Sequence, residues 1–81
     1  MTIRILAFAQ AREALGGASA SLELPAGSRV GDALALLERR HPSLAALRPH
    51  LAVAVNAELA RAERPLTEGC ELALLPPVSG G

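Results

Sequence analysis

The sequence contains no lysine, no tryptophan and no tyrosine, and it has a single phenylalanine and a single cysteine in 81 residues. Each shortage excludes something. One cysteine rules out an internal disulfide, so stability must come from packing, in keeping with a reducing compartment. Cys70 has no His or basic group beside it in sequence to lower its pKa, and it reads as a small buried hydrophobe in a strand rather than a nucleophile. Without lysine, no side chain can accept an isopeptide bond, which leaves only the α-amino group. Net charge is also lacking: eight basic and eight acidic residues cancel, and the scattered arginines, paired only at Arg39-Arg40, form no nucleic-acid footprint. No apolar run approaches the ~20 residues that cross a bilayer. The N-terminal MTIRILAFAQ lacks the apolar stretch and small-residue cleavage site of an export signal. The expectation is one soluble cytoplasmic domain, burying roughly 60% of its unfolded surface.

The remaining residues are strongly patterned. Thr2 to Ala9 alternates as a strand, with Ile3, Ile5 and Ala7 on one side and Arg4, Leu6 and Phe8 on the other. Gln10 to Leu15 forms a short helical turn closed by Gly16-Gly17, and Ser19 to Leu24 alternates again before Pro25-Ala26-Gly27, which suggests a hairpin. Ser28 is placed to cap the next segment, where Val30, Ala33, Leu34 and Leu37 make one apolar stripe until His41-Pro42 stops it. Asp32 in its first turn suits the helix dipole. Pro42 to His50 reads as a connection anchored by Leu44 and Leu47. With no partner at ligand spacing, His41 and His50 read as capping or surface residues rather than metal ligands. Leu51 to Val55 is a third strand, Asn56-Ala57 a tight turn into a short strand at Glu58 to Ala60, and Arg61 to Leu66 is irregular. Thr67-Glu68-Gly69 turns into a last strand, Cys70 to Leu75, which Pro76-Pro77 ends.

The order β-β-α-β-β-β predicts an α+β fold with a mixed sheet covered on one face by a main helix, the ubiquitin-like β-grasp plan. Residues 1–76 make up the domain, and 77–81 form an extended Gly-Gly tail. Parity then assigns an outward face. Arg4 shares its side of the first strand with Leu6 and Phe8, and Glu71 shares its side of the last with Ala73 and Leu75, so these sets face water. Phe8 is thereby exposed, with Leu59 and Leu75 near it, unless it tucks beneath a loop as a secondary core. An exposed apolar cluster marks a partner site.

The chain closes on LLPPVSGG. Two prolines fix an extended path, and the residues from Pro76 to Gly81 can reach on the order of 20 Å. Glycines without Cβ atoms can thread a channel as narrow as a backbone, delivering a carboxylate that is inert until activated.

The segment FAQAREALG (Phe8 to Gly16), the segment VAVNAELARAERPLTEGCELALLPPVSGG (Val53 to Gly81) and the length together resemble the small subunit of molybdopterin synthase, a sulfur carrier. The resemblance implies that Gly81 is adenylated by an ATP-dependent activating enzyme and converted by a sulfur donor to a thiocarboxylate. That group would then give sulfur to cyclic pyranopterin monophosphate in the large subunit, within a heterotetramer of two small and two large subunits. It implies that Gly80 keeps the tail narrow. It further implies that Phe8, Leu59 and Leu75, with Pro76, Pro77 and Val78 of the tail, contact partners, and that the carrier binds no cofactor or metal of its own, ATP being consumed by the activating enzyme. Arg12 also matches; it serves either a partner carboxylate or phosphate, or is a solvated charge on the helical turn. Where the family often has an aromatic near the end of the last strand, this chain has Leu74 and Leu75. The alternatives are a carrier for thiazole or tRNA thiolation, a ubiquitin-like modifier of proteins, and a binding module with an incidental tail. An autonomous enzyme is disfavoured, since no nucleophile and base, metal-ligand cluster or phosphate-cradling glycine loop stands out.

Overall fold

The computed structural model describes residues 1–76. The elements run β1 (Thr2–Ala7), α1 (Ala9–Leu15), β2 (Ser19–Glu23), α2 (Val30–Arg40), α3 (Pro42–Leu47), a single 3-10 turn (Arg48–His50), β3 (Ala52–Val55), β4 (Glu58–Ala60) and β5 (Glu71–Leu75). The strands form one sheet in the order β2-β1-β5-β3-β4. The central pair β1 and β5 is parallel and every other pair antiparallel. This is the mixed sheet of a β-grasp. A parallel pair cannot be joined by a hairpin, so all the intervening elements serve as its crossover.

One face of the sheet is sealed. Ile3, Ile5 and Ala7 of β1, Leu72 and Leu74 of β5, Val53 and Val55 of β3 and Leu22 of β2 are buried. They pack against Ala11 and Leu15 of α1, Val30, Ala33, Leu34 and Leu37 of α2, and Leu44 of α3. The core is entirely aliphatic apart from Cys70, whose burial agrees with the structural role expected of it. Each fully buried Leu or Ile contributes about 1.5–3 kcal/mol relative to exposure.

Three local features depart from expectation, each for a physical reason. The connection after His41 is helical: Pro42 ends α2 by its missing N–H yet starts α3, because proline suits the first helical turn. Leu44, 1% exposed, fastens α3 to the core. Second, Ser28 does not cap α2. Its hydroxyl donates to the Pro25 carbonyl at 2.8 Å, and Arg29 is the N-cap residue. The Asp32 carboxylate accepts the Arg29 N–H at 2.8 Å. Third, the irregular segment Arg61 to Leu66 takes over part of the capping. Val30 N–H donates to Arg64 O (2.9 Å) and Gly31 N–H to Ala62 O (2.8 Å), so helix-end donors that would otherwise lack partners are satisfied from across the chain. A Cβ at Gly31 would meet Ala62 O at 3.3 Å, which is why the closest approach falls on a glycine.

The β3–β4 hairpin turns on Asn56 (φ 48°) and Ala57 (φ 69°), both left-handed. Two such residues define the turn whose twist matches the strands. Asn56 also accepts the Glu71 N–H on Oδ1 and donates its own N–H to Glu71 O, both at 2.9 Å, tying the turn to β5. Asparagine tolerates this conformation, whereas alanine adopts it at a steric cost of roughly 1–2 kcal/mol. Ala57→Gly is therefore expected to stabilise the fold by about 0.5–1 kcal/mol, seen as a higher urea midpoint at unchanged m-value.

Candidate functional site

The outer face of the sheet carries the features that distinguish this molecule. Paired positions share a face, so register alone lays out its rows. One row runs from Ser19 on β2 through Leu6, Ala73 and Ala54 to Leu59 on β4, crossing all five strands. Leu59 is 72% exposed, while Ala54 in mid-row is 6% exposed yet lies outside the core cluster, covered by its neighbours on this face. Two alanines between larger residues make a shallow apolar floor.

A second row lies one pleat further along β5, where Leu75 pairs with Ala52. Beside it stands Phe8, which continues the ladder by donating its N–H to Leu74 O at 3.3 Å. Phe8 also caps α1, its carbonyl accepting from Ala11 (3.1 Å) and Arg12 (3.4 Å). Ala9, at φ 52°, turns the chain sharply from strand to helix. Held in this corner, Phe8 is 47% exposed. At the opposite end of the face Arg4 pairs with Glu71, Nη1 to Oε2 at 3.8 Å, a solvent-exposed ion pair of small energetic weight. The face thus grades from charged at the start of β5 to apolar at its end.

The sequence-predicted residues therefore divide cleanly. Phe8 and Leu59 are the two large hydrophobics that the described residues expose, Leu75 is half-buried, and Pro76 is exposed. Arg12 projects from α1 and has no ion-pair partner among the described residues; with Arg4, Leu6, Phe8 and Ser19 it lines a groove flanking the apolar row. Pro77, Val78, Gly80 and Gly81 lie outside the described residues. Ala52 and Ala54 escaped the sequence reading, because the parity of β3 relative to β5 depends on a register that alternation within one strand does not give.

Among the described residues no group of three or more His, Cys, Asp and Glu side chains could hold a metal ion. His41 works through its backbone at the α2–α3 junction, its N–H donating to Leu37 O and its carbonyl accepting from Leu44. No described helix is long and apolar enough to cross a membrane. What the arrangement offers is a partly exposed apolar face that reaches Leu75 and Pro76.

Because Phe8 is exposed, Phe8→Ala is expected to lower unfolding free energy by less than about 1 kcal/mol, against about 2–5 for Leu74→Ala in the core. Urea titration of the two variants separates these outcomes.

Comparison with known proteins places this surface in context. The family model described as the ThiS family matches residues 5–81. The molybdopterin synthase sulfur carrier subunit of Chlamydomonas reinhardtii is 36% identical over 83 residues, with all of both chains covered. SAMP1 from Haloferax volcanii superposes with a TM-score of 0.87 at 33% identity, covering all of both chains. The Amycolatopsis orientalis BexX/CysO complex contains a chain that matches with a TM-score of 0.71 at 27% identity, covering 98% of this chain and 99% of that one. By sequence along nearly its whole length and by fold, the chain belongs to the ThiS family, with sulfur carrier subunits of molybdopterin synthase among its relatives.

Proposed function

We propose that this chain is the sulfur carrier subunit of molybdopterin synthase, with its reactive group at the C-terminal carbonyl of Gly81. The observation that carries the reading is the full-length similarity to a sulfur carrier subunit, joined to an apolar face that converges on the point where β5 gives way to the tail. A carboxylate is a poor electrophile. Transfer of AMP from ATP by an activating enzyme gives an acyl adenylate, and a sulfur donor displaces the AMP to leave a thiocarboxylate. The sulfur then passes to cyclic pyranopterin monophosphate in the large subunit.

In this division of labour the carrier supplies an activated terminus and an address, while acid–base and phosphate-binding groups belong to the large subunit. Gly80 and Gly81 keep the tail slim enough to enter a closed active site. Phe8, Leu59 and Leu75 dock on the partner, and Pro76, Pro77 and Val78 aim the tail. Arg12, exposed and unpaired among the described residues, suits a partner carboxylate in bidentate fashion. The occurrence of a structural relative in a two-protein complex supports a partner-bound working state. We place that state in the cytoplasm as a heterotetramer of two carriers and two large subunits. The carrier holds no cofactor of its own, and ATP is spent by the activating enzyme.

The reading is tested by incubating the protein with activating enzyme, ATP and sulfur donor and measuring intact mass. The expected result is the gain of one sulfur for one oxygen, mapped to Gly81. An extra residue after Gly81 should abolish both this gain and pterin sulfuration; full activity of the extended chain would refute the proposal. Phe8→Ala should weaken large-subunit binding by about tenfold or more, the range of a buried aromatic anchor.

A further inference from the structure

An activated acyl terminus is exposed to any nucleophile nearby, including those of its own protein. We propose that this chain is a one-way acyl donor: its fold and composition leave no effective amine acceptor for its own activated terminus, so the charged form neither closes an amide on itself nor builds amide-linked chains of its own copies. This inference rests on the carrier chemistry proposed above.

The reaction to be avoided is aminolysis. A neutral amine attacks the Gly81 carbonyl carbon, the C–N bond forms as the C–O bond to the adenylate phosphate breaks, AMP leaves, and the amine proton passes to solvent. No oxidant or reductant is involved, so only the supply of nucleophiles limits it.

The amine supply is closed at every side chain, and the imidazoles of His41 and His50 give only acyl imidazoles, which water cleaves back to the acid. All eight basic side chains are arginine, six exposed and two, Arg48 and Arg64, half-buried. Lysines at such sites would be free nucleophiles. A guanidinium remains protonated, and its neutral fraction lies roughly three orders of magnitude below that of lysine at the same pH. The chain has no tyrosine, and the one thiol, Cys70, is 3% exposed at the entry to β5.

The amine that the sequence leaves is the α-amino group, and the structure puts it to use. The Met1 ammonium donates to Leu24 O at 2.6 Å, while the Leu24 N–H donates to Met1 O at 2.9 Å. This reciprocal pair extends the β1–β2 ladder past Thr2 and Glu23. A charge-assisted bond of this kind is lost when the ammonium becomes an amide. Position adds a second barrier. Because β1 and β5 run parallel, Met1 lies at the end of the sheet away from Leu75, about 20 Å along the strand. That distance is about the full reach of the residues from Pro76 onward, so ring closure within one molecule requires a completely extended tail doubling back along the sheet.

The test uses the full chain carrying a C-terminal thioester at Gly81, produced by intein cleavage with a small thiol, so that neither activating enzyme nor large subunit is needed. Concentrated protein is held at mildly alkaline pH and followed by intact mass and denaturing gel. Wild type is expected to decay by hydrolysis to monomeric acid, whereas Arg39→Lys/Arg40→Lys, altered on the exposed end of α2, should give about tenfold or more covalent dimer, as the lysine and arginine basicities dictate. Dimer from wild type at the variant's level, mapped to Met1 or Cys70, overturns the proposal, as does a variant that forms no more dimer than wild type. Since the thioester is made chemically, a carrier that fails in pterin sulfuration leaves this result standing.

Discussion

The parallel pairing of β1 with β5 at the centre of the sheet is the constraint on which the rest depends. It sets the first strand beside the last and points both in one direction, so the corner at Phe8 and the exit at Leu75 and Pro76 fall at the same end of the molecule. Antiparallel pairing would have put Leu75 and Pro76 beside Met1. The long crossover required by a parallel pair supplies the helices that cover the inner face.

Covering one face leaves the other to solvent, and an antiparallel or mixed sheet in that position is ordinarily polar outside. Here the outer rows carry Leu6, Ala54, Ala73, Leu59, Phe8 and Leu75, while polar residues such as Ser19, Arg4 and Glu71 keep to the margins. Such an arrangement costs solubility, since Phe8 and Leu59 stay exposed in the isolated chain and contribute little to folding. It becomes intelligible if a partner covers it. Reactive groups are likewise withdrawn: the thiol is buried at the entry to β5 and the terminal ammonium is engaged in the sheet.

Much of the fold was legible because a single charge marks one side of each central strand. Arg4 put Leu6 and Phe8 outward with Ile3 and Ile5 inward, and Glu71 put Ala73 and Leu75 outward with Leu72 and Leu74 inward. The stripe Val30, Ala33, Leu34 and Leu37 declared α2. The failures occurred where one local signal had two meanings. Pro42 stops one helix and opens another, and only the burial of Leu44 distinguishes these uses. Ser28 precedes the helix as a cap would, but its hydroxyl is taken by Pro25, and carbonyls of Ala62 and Arg64, thirty residues on, bind the first helical N–H groups.

By itself, then, the sequence determined the five strands and the main helix α2, the absence of lysine and the Gly-Gly ending, because these depend only on residue type and on periods of two and 3.6. Tertiary structure alone decided which strands lie side by side, in what register, and which backbone donors meet which acceptors. Those outcomes rest on contacts between residues far apart in the chain. The row from Leu6 to Leu59 comes into being only when four strands are brought into line, and the partnership of Met1 with Leu24 only when the first strand closes on the second.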